Sequence, residues 1–211
     1  MCGRYVIYNQ LTEELMEMMG VRIPANYNAA PTQMLPVILN KSNGDPELIL
    51  ARWGLLPRWA NDTKIKPFFN ARGDNLVGNK VFWESRDRHC IVPMSGFYEW
   101  SEHDKQPYYI YSPDNEKISV AGLWRQWTNG DDVLDTFCVI TTKPHPTLRD
   151  IHHRSPVILN NEECEEWLAS DYQGGEGLLR EYGGSLAKHP VSKVVNNARN
   201  NLSQNIEGIQ L

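Results

Sequence analysis

Residues 118–142 read ISVAGLWRQWTNGDDVLDTFCVITT. β-Branched and aromatic residues fill Ile118 to Trp124 and Val133 to Thr141, and Asn129-Gly130-Asp131 between them has the composition of a tight hairpin turn. Two antiparallel strands are predicted. Upstream, Val37 to Leu39 and Leu48 to Trp53 flank Ser42-Asn43-Gly44-Asp45, a second hairpin signal, and Tyr108 to Tyr111 reads as a further strand. Pro31, Pro36, Pro46, Pro57, Pro67, Pro93 and Pro107 leave room only for short elements between them. Helical spacing appears in Thr12 to Gly20, with Thr12 as N-cap and Gly20 as stop, in Glu162 to Ser170 behind Asn160 and Asn161, and around Glu176 to Tyr182. Val191 to Val195 reads as a closing strand. The expected class is α+β: a single domain over residues 1–211, with a mixed or antiparallel, barrel-like β-rich core and a few short flanking helices.

Composition narrows the function. At 211 residues and 41% apolar, the chain can bury the core of one large domain. A net charge of −5 excludes a general polyelectrolyte binder, so any nucleic-acid contact is local. No apolar leader and no run approaching the roughly 18–20 residues of a membrane span is present, which predicts a soluble, cytoplasmic protein without membrane partners. Cys2, Cys90, Cys138 and Cys164 are scattered, the pattern of reduced thiols. Neither HxxxH nor CxxC spacing links Cys2, His145, His152 and His153, and no Gly-rich phosphate loop occurs, so neither metal nor cofactor is expected.

The chain opens Met1-Cys2-Gly3-Arg4. Removal of Met1 before a small residue leaves Cys2 with both an α-amine and a thiol. Such a 1,2-aminothiol condenses with an aldehyde to an imine and closes through sulfur to a thiazolidine. An α-amine pKa of about 8, against about 10.4 for lysine, leaves a nucleophilic fraction near neutral pH. A cysteine without a role at a frayed end is the plain alternative. Farther along, polar residues stand among aromatics in Phe68-Phe69-Asn70-Ala71-Arg72, in Val92 to Trp100, in Ile140-Thr141-Thr142 and in Ile151-His152-His153-Arg154-Ser155-Pro156.

Together with Cys2-Gly3-Arg4, Tyr27 to Thr32, Arg52 to Pro57 and Val195 to Asn200, these segments resemble in order the SRAP family, named for SOS-response association and a suspected peptidase activity and understood as abasic-site processing. The likeness covers nearly the whole chain. It implies that Cys2 captures the ring-opened aldehyde of an abasic site in single-stranded DNA as a thiazolidine crosslink. Capture requires proton transfers to open the sugar and to expel water from the carbinolamine. The resemblance assigns the amine and carbinolamine steps to Glu99, ring opening and reversal to His152, and positioning of the sugar or amine to Asn70. It makes Arg4, Arg72 and Arg154 phosphate contacts, with the Thr141 hydroxyl beside them. Trp53, Trp59 and Trp100 become stacking platforms, each worth about 1–3 kcal/mol per base, and Pro36 a wedge against the nucleic acid. The implied partner is abasic single-stranded DNA, bound by a monomer that is nucleoid-associated when on DNA.

Ordinary structural roles compete at each position. They are a solvated carboxylate for Glu99, a backbone-satisfied ring for His152, a turn cap for Asn70, surface charges for the arginines and core packing for the tryptophans. Trp124, Trp127 and Trp167 sit in apolar patterns and read as structural. The chain departs from the family pattern where His153 follows His152 in place of an acid, where Ser155 replaces Met, and where Ala198 replaces Pro. Rival functions are an N-terminal-nucleophile glutamine amidotransferase, a cysteine peptidase and a non-catalytic single-strand binder.

Overall fold

Strands form where β-branched and aromatic residues cluster between prolines and glycines. A computed structural model describes residues 2–20, 22–40, 45–114 and 117–210. The strands are β1 (Arg4–Ile7), β2 (Asn26–Ala29), β3 (Met34–Asn40), β4 (Pro46–Trp53), β5 (Asn70–Arg72), β6 (His89–Met94), β7 (Gly96–Trp100), β8 (Pro107–Tyr111), β9 (Ile118–Asn129), β10 (Asp132–Thr142), β11 (Ser155–Pro156), β12 (Ile158–Leu159) and β13 (Ala187–Pro190). The helices are α1 (Gln10–Met19), α2 (Lys80–Trp83), α3 (Asn161–Ala169) and α4 (Tyr172–Gly175).

The expected hairpin at 118–142 is present. β9 and β10 pair antiparallel from Asn129↔Asp132 to Gly122↔Val139, around a turn whose Gly130 takes φ +58°. β3 and β4 pair likewise, while the turn expected at Ser42 to Asp45 lies, apart from Asp45, outside the described residues. One sheet runs β13-β8-β7-β1-β2. The other runs β11-β10-β4-β3-β6-β9-β12, and because β9 also pairs with β10 its middle strands close on themselves as a barrel. The parallel pairings of β10 with β4 and β5 make this sheet mixed. The α+β, β-rich class with short flanking helices is therefore as expected.

Alternation along the strands builds the two largest cores. Tyr5, Ile7, Phe97 and Ile110 of the first sheet pack with Val37, Trp53, Val92, Phe137 and Val139 of the second. On another face of the second sheet, Ile91, Ala121, Cys138 and Ile140 lie under Phe82 of α2 and Trp167 of α3. Trp127 and Trp167 are buried, as their apolar surroundings suggested.

Helix ends follow local chemistry. Gly20 takes φ +67° and donates its N–H to the Met16 carbonyl, closing α1. The helix starts earlier than expected, with Asn9 at the N-cap and the Thr12 hydroxyl donating to the Asn9 carbonyl. Asn160 and Glu163 form a reciprocal capping box on α3. Two expectations fail. The segment around Glu176 to Tyr182 gives only a 3-10 turn, Glu176–Leu178, after the one-turn α4, because Gly174, Gly175 and Gly177 penalise a longer helix. The closing strand is Ala187–Pro190 instead of 191–195; there the Ser192 side chain accepts the Val194 N–H and turns Lys193–Asn196 into a 3-10 helix. No helix among the described residues is long and apolar enough to cross a membrane.

Candidate functional site

β1 pairs antiparallel with β7 in the register Arg4↔Tyr98, which leads the chain before Arg4 alongside Glu99 and Trp100. Cys2 is buried there, its Sγ 3.9 Å from the Arg4 carbonyl. β5 approaches from the other sheet, held parallel to β10 with Asn70 opposite Val139. The Asn70 Nδ2 donates to the Cys2 carbonyl at 2.8 Å. Its Oδ1 is buried with no hydrogen-bond partner, an expensive arrangement in a folded core.

Glu99 is only 3% exposed. Burial raises its carboxyl above the usual range, and the neighbouring Glu102 charge adds to the effect. His152 arrives on the segment after the 3-10 turn Pro146–Leu148, which is pinned by buried Leu148 and Ile151. The Ile151 carbonyl accepts the Glu102 N–H at 2.9 Å, so this segment and the turn after β7 fix each other. His152 Nε2 lies 3.4 Å from Glu99 Oε1 and 3.4 Å from Glu102 Oε1. Its Nδ1 accepts the Arg154 backbone N–H at 3.0 Å. With Nδ1 occupied as an acceptor, the neutral ring carries its hydrogen on Nε2, facing the carboxylates. Burial, with the His153 charge adding to it, lowers the His152 pKa to about 4, so near neutral pH the ring is an uncharged donor.

Cys2 has the opposite polarity to an activated thiolate. Burial and the Glu99 charge push its thiol well above the ordinary range. Donor atoms of Glu102, His152 and His153 all lie within 4.8 Å of one another, a spacing that a metal ion could bridge. The set does not suit one. A metal on His152 Nε2 requires the ring hydrogen on Nδ1, where it would oppose the Arg154 N–H.

Cys2, Asn70, Glu99 and His152 thus meet, and the remaining expected residues divide. Arg72 is exposed beside the cluster, salt-bridged to Asp74. Arg154 is buried, donates to both Asp74 oxygens at 3.0 and 3.1 Å, and donates to the Thr141 carbonyl at 2.6 Å. The fully buried Thr141 hydroxyl donates to the Ala71 carbonyl. Neither Arg154 nor Thr141 is the free phosphate contact expected: the parallel β5–β10 pairing turns Thr141 inward, and Asp74 and the Thr141 carbonyl hold Arg154.

Arg4 is likewise committed, donating to Asn28 Oδ1 and to the Val195 and Asn196 carbonyls. Trp53 is fully buried, stacked on Phe137 and donating to the Phe69 carbonyl, so it is a core residue and not a base platform. Pro36 is buried inside β3 opposite Leu50 and presents no wedge. Trp59 is 62% exposed, and half-buried Trp100 donates to Asn196 Oδ1. Sequence reasoning missed Glu102 and Asp74. An acid three residues past Glu99 and another two past Arg72 were the only signals. A mostly apolar groove of about 290 Å³, lined by Lys66, Pro67, Phe68 and Phe69, ends at Asn70.

The family model described as SOS response associated peptidase (SRAP) matches residues 1–198. Abasic site processing protein YoqW of Bacillus subtilis (strain 168) is 33% identical over 98% of this chain and 99% of its own length. Abasic site processing protein HMCES of Xenopus tropicalis is 31% identical over 88% of this chain and 67% of its own. A solved Bacteroides thetaiotaomicron protein superposes with a TM-score of 0.76 at 27% identity, covering 88% of this chain and 86% of that one. A Bordetella bronchiseptica structure with a TM-score of 0.78 at 22% identity, covering 90% of this chain and 100% of that one, shares the fold. With the motifs in order on one fold and the match extending over residues 1–198, this chain belongs to the SRAP family.

Proposed function

We propose that the protein acts in the DNA damage response by capturing abasic sites in single-stranded DNA through Cys2 after loss of Met1. The names of its relatives point to abasic sites. The observation that carries the chemistry is the convergence on Cys2 of Asn70, Glu99 and His152, from segments far apart in sequence. Met1 itself lies outside the described residues.

Opening the sugar moves a proton from the C1′ hydroxyl to the ring oxygen, giving an aldehyde and a free 4′-hydroxyl. The Cys2 amine adds to C1′, the resulting carbinolamine loses water, and the thiol adds across the imine as its proton moves to nitrogen. The net change is aldehyde plus aminothiol to thiazolidine plus one water. Glu99 takes the ammonium proton and delivers it to the departing hydroxyl, a task suited to a carboxyl whose proton affinity burial has raised. His152, a neutral Nε2–H donor, orients Glu99 and hydrogen-bonds the sugar oxygen during opening and reversal. Asn70 Oδ1 offers an acceptor to the amine or a sugar hydroxyl. Arg72 meets a flanking phosphate, Trp59 and Trp100 offer base-stacking faces, and the Phe68–Phe69 groove receives a neighbouring base.

A cysteine peptidase or amidotransferase needs a thiolate stabilised by a cation. Here the buried neighbour of Cys2 is a carboxylate, which favours amine attack first and sulfur addition second. The test compares Cys2→Ala and wild type on an abasic oligonucleotide in denaturing gels. Wild type is expected to give a stable adduct and Cys2→Ala one seen only after borohydride trapping; an equally stable adduct from both would exclude the thiazolidine.

A further inference from the structure

Glu102 and His153 lie beside the proposed proton-transfer pair without belonging to it. The Glu102 carboxylate contacts His153 Nδ1 and lies 3.4 Å from His152 Nε2. The His152 and His153 rings stack with centroids 4.4 Å apart. Glu99 is 3.4 Å from the same His152 nitrogen, so the two carboxylates are at most twice that distance apart. The exposed faces of Glu102 and His153 border solvent, while Glu99 is buried. One imidazole nitrogen therefore faces an inner and an outer carboxylate, and a second imidazole holds the outer one.

We propose that Glu102 is a positioning residue for the crosslinking reaction: by facing His152 Nε2 beside Glu99 it aims that ring and sets the proton affinity of Glu99, with His153 setting how much of the Glu102 charge Glu99 feels. The inference rests on the role of Glu99 in the proposed function. Among the described residues, the charged and titratable groups facing Glu99 are Cys2 from the β1 side, Glu102 from the turn after β7, and His152 and His153 from the segment before β11. Their signs oppose one another. Glu102 favours a proton on Glu99, and a charged His153 disfavours it both directly and by pairing with Glu102. This chain thus carries a device whose two surface members pull Glu99 in opposite directions.

The experiment follows the Glu99 side-chain carbon by NMR through a pH titration, beside the pH profile of the crosslinking rate, in wild type, Glu102→Gln, His153→Ala and the double variant. Glu102→Gln is expected to move the Glu99 midpoint and the acid limb of the rate to lower pH by about half a unit, from Coulomb's law across this gap in a water-like dielectric. His153→Ala should move both to higher pH, the double variant should fall between Glu102→Gln and wild type, and Glu102→Asp should restore most of the wild-type profile. Shifts in the same direction for both single variants, or no shift in either, overturn the proposal. Wild type that fails to crosslink abasic DNA refutes the proposed function, while the NMR midpoints still decide this one.

Discussion

The neutral, half-buried state of His152 should appear in stability as well as reactivity. Its pKa falls from 6.5 to about 4 in the folded protein, chiefly by burial of a ring whose side chain is only 12% exposed. A group with a depressed folded value contributes stability that is fully present above its unfolded pKa. That contribution is lost as pH falls through the folded value, because the unfolded chain binds the proton first. The window runs from 6.5 down to about 4, and the difference corresponds to about 3 kcal/mol, an order-of-magnitude figure. His89, buried against Trp167, is displaced in the same direction, and Glu99 in the opposite one, so only a difference between proteins isolates His152. Urea unfolding of wild type and His152→Gln, followed by tryptophan fluorescence at several pH values between 8 and 4, makes that comparison. Wild type should lose about 3 kcal/mol more than the variant across the window. Parallel curves would refute the reasoning, since a charged or solvated His152 has no such penalty.

Other expectations follow from placement. Trp53→Ala should cost about 3–5 kcal/mol in chemical denaturation through its cavity, whereas Trp59→Ala should change stability by less than about 0.5 kcal/mol and weaken binding to intact single-stranded DNA. Asp74→Asn should free exposed Arg72 from a carboxylate that Arg154 and Arg72 hold down to about 2. Fluorescence anisotropy should then show tighter DNA binding than an Asp131→Asn control, with a salt slope steeper by about one charge. Over hours, Cys2→Ala imine should proceed to strand cleavage by β-elimination on a sequencing gel, and wild-type adduct should not.

The local chemistry of the sequence was a good guide wherever one segment decided the outcome. Asn129-Gly130 marks the hairpin, Gly20 ends α1, and Asn160 with Glu163 caps α3 because each acts on its own backbone. The Gly-rich stretch near residue 176 misled because weak helical spacing could not offset three glycines. At the site, the residues that meet at Cys2 were legible as motifs, but their company was not. Trp53 and Thr141 face inward through strand pairings between segments tens of residues apart, and Arg154 is held by the side chain of Asp74, 80 residues before it. Glu102 gains its place from a backbone bond to Ile151, which no spacing in the sequence announces.

The aminothiol is the point on which the chemistry stands, and intact mass spectrometry of protein lacking Met1, mixed with abasic or undamaged oligonucleotide of the same sequence, addresses it most directly. The abasic sample should show protein plus DNA less one water, surviving denaturation and mapping to Cys2, and the undamaged sample no adduct. A full yield of the same adduct from protein that retains Met1 would contradict the account.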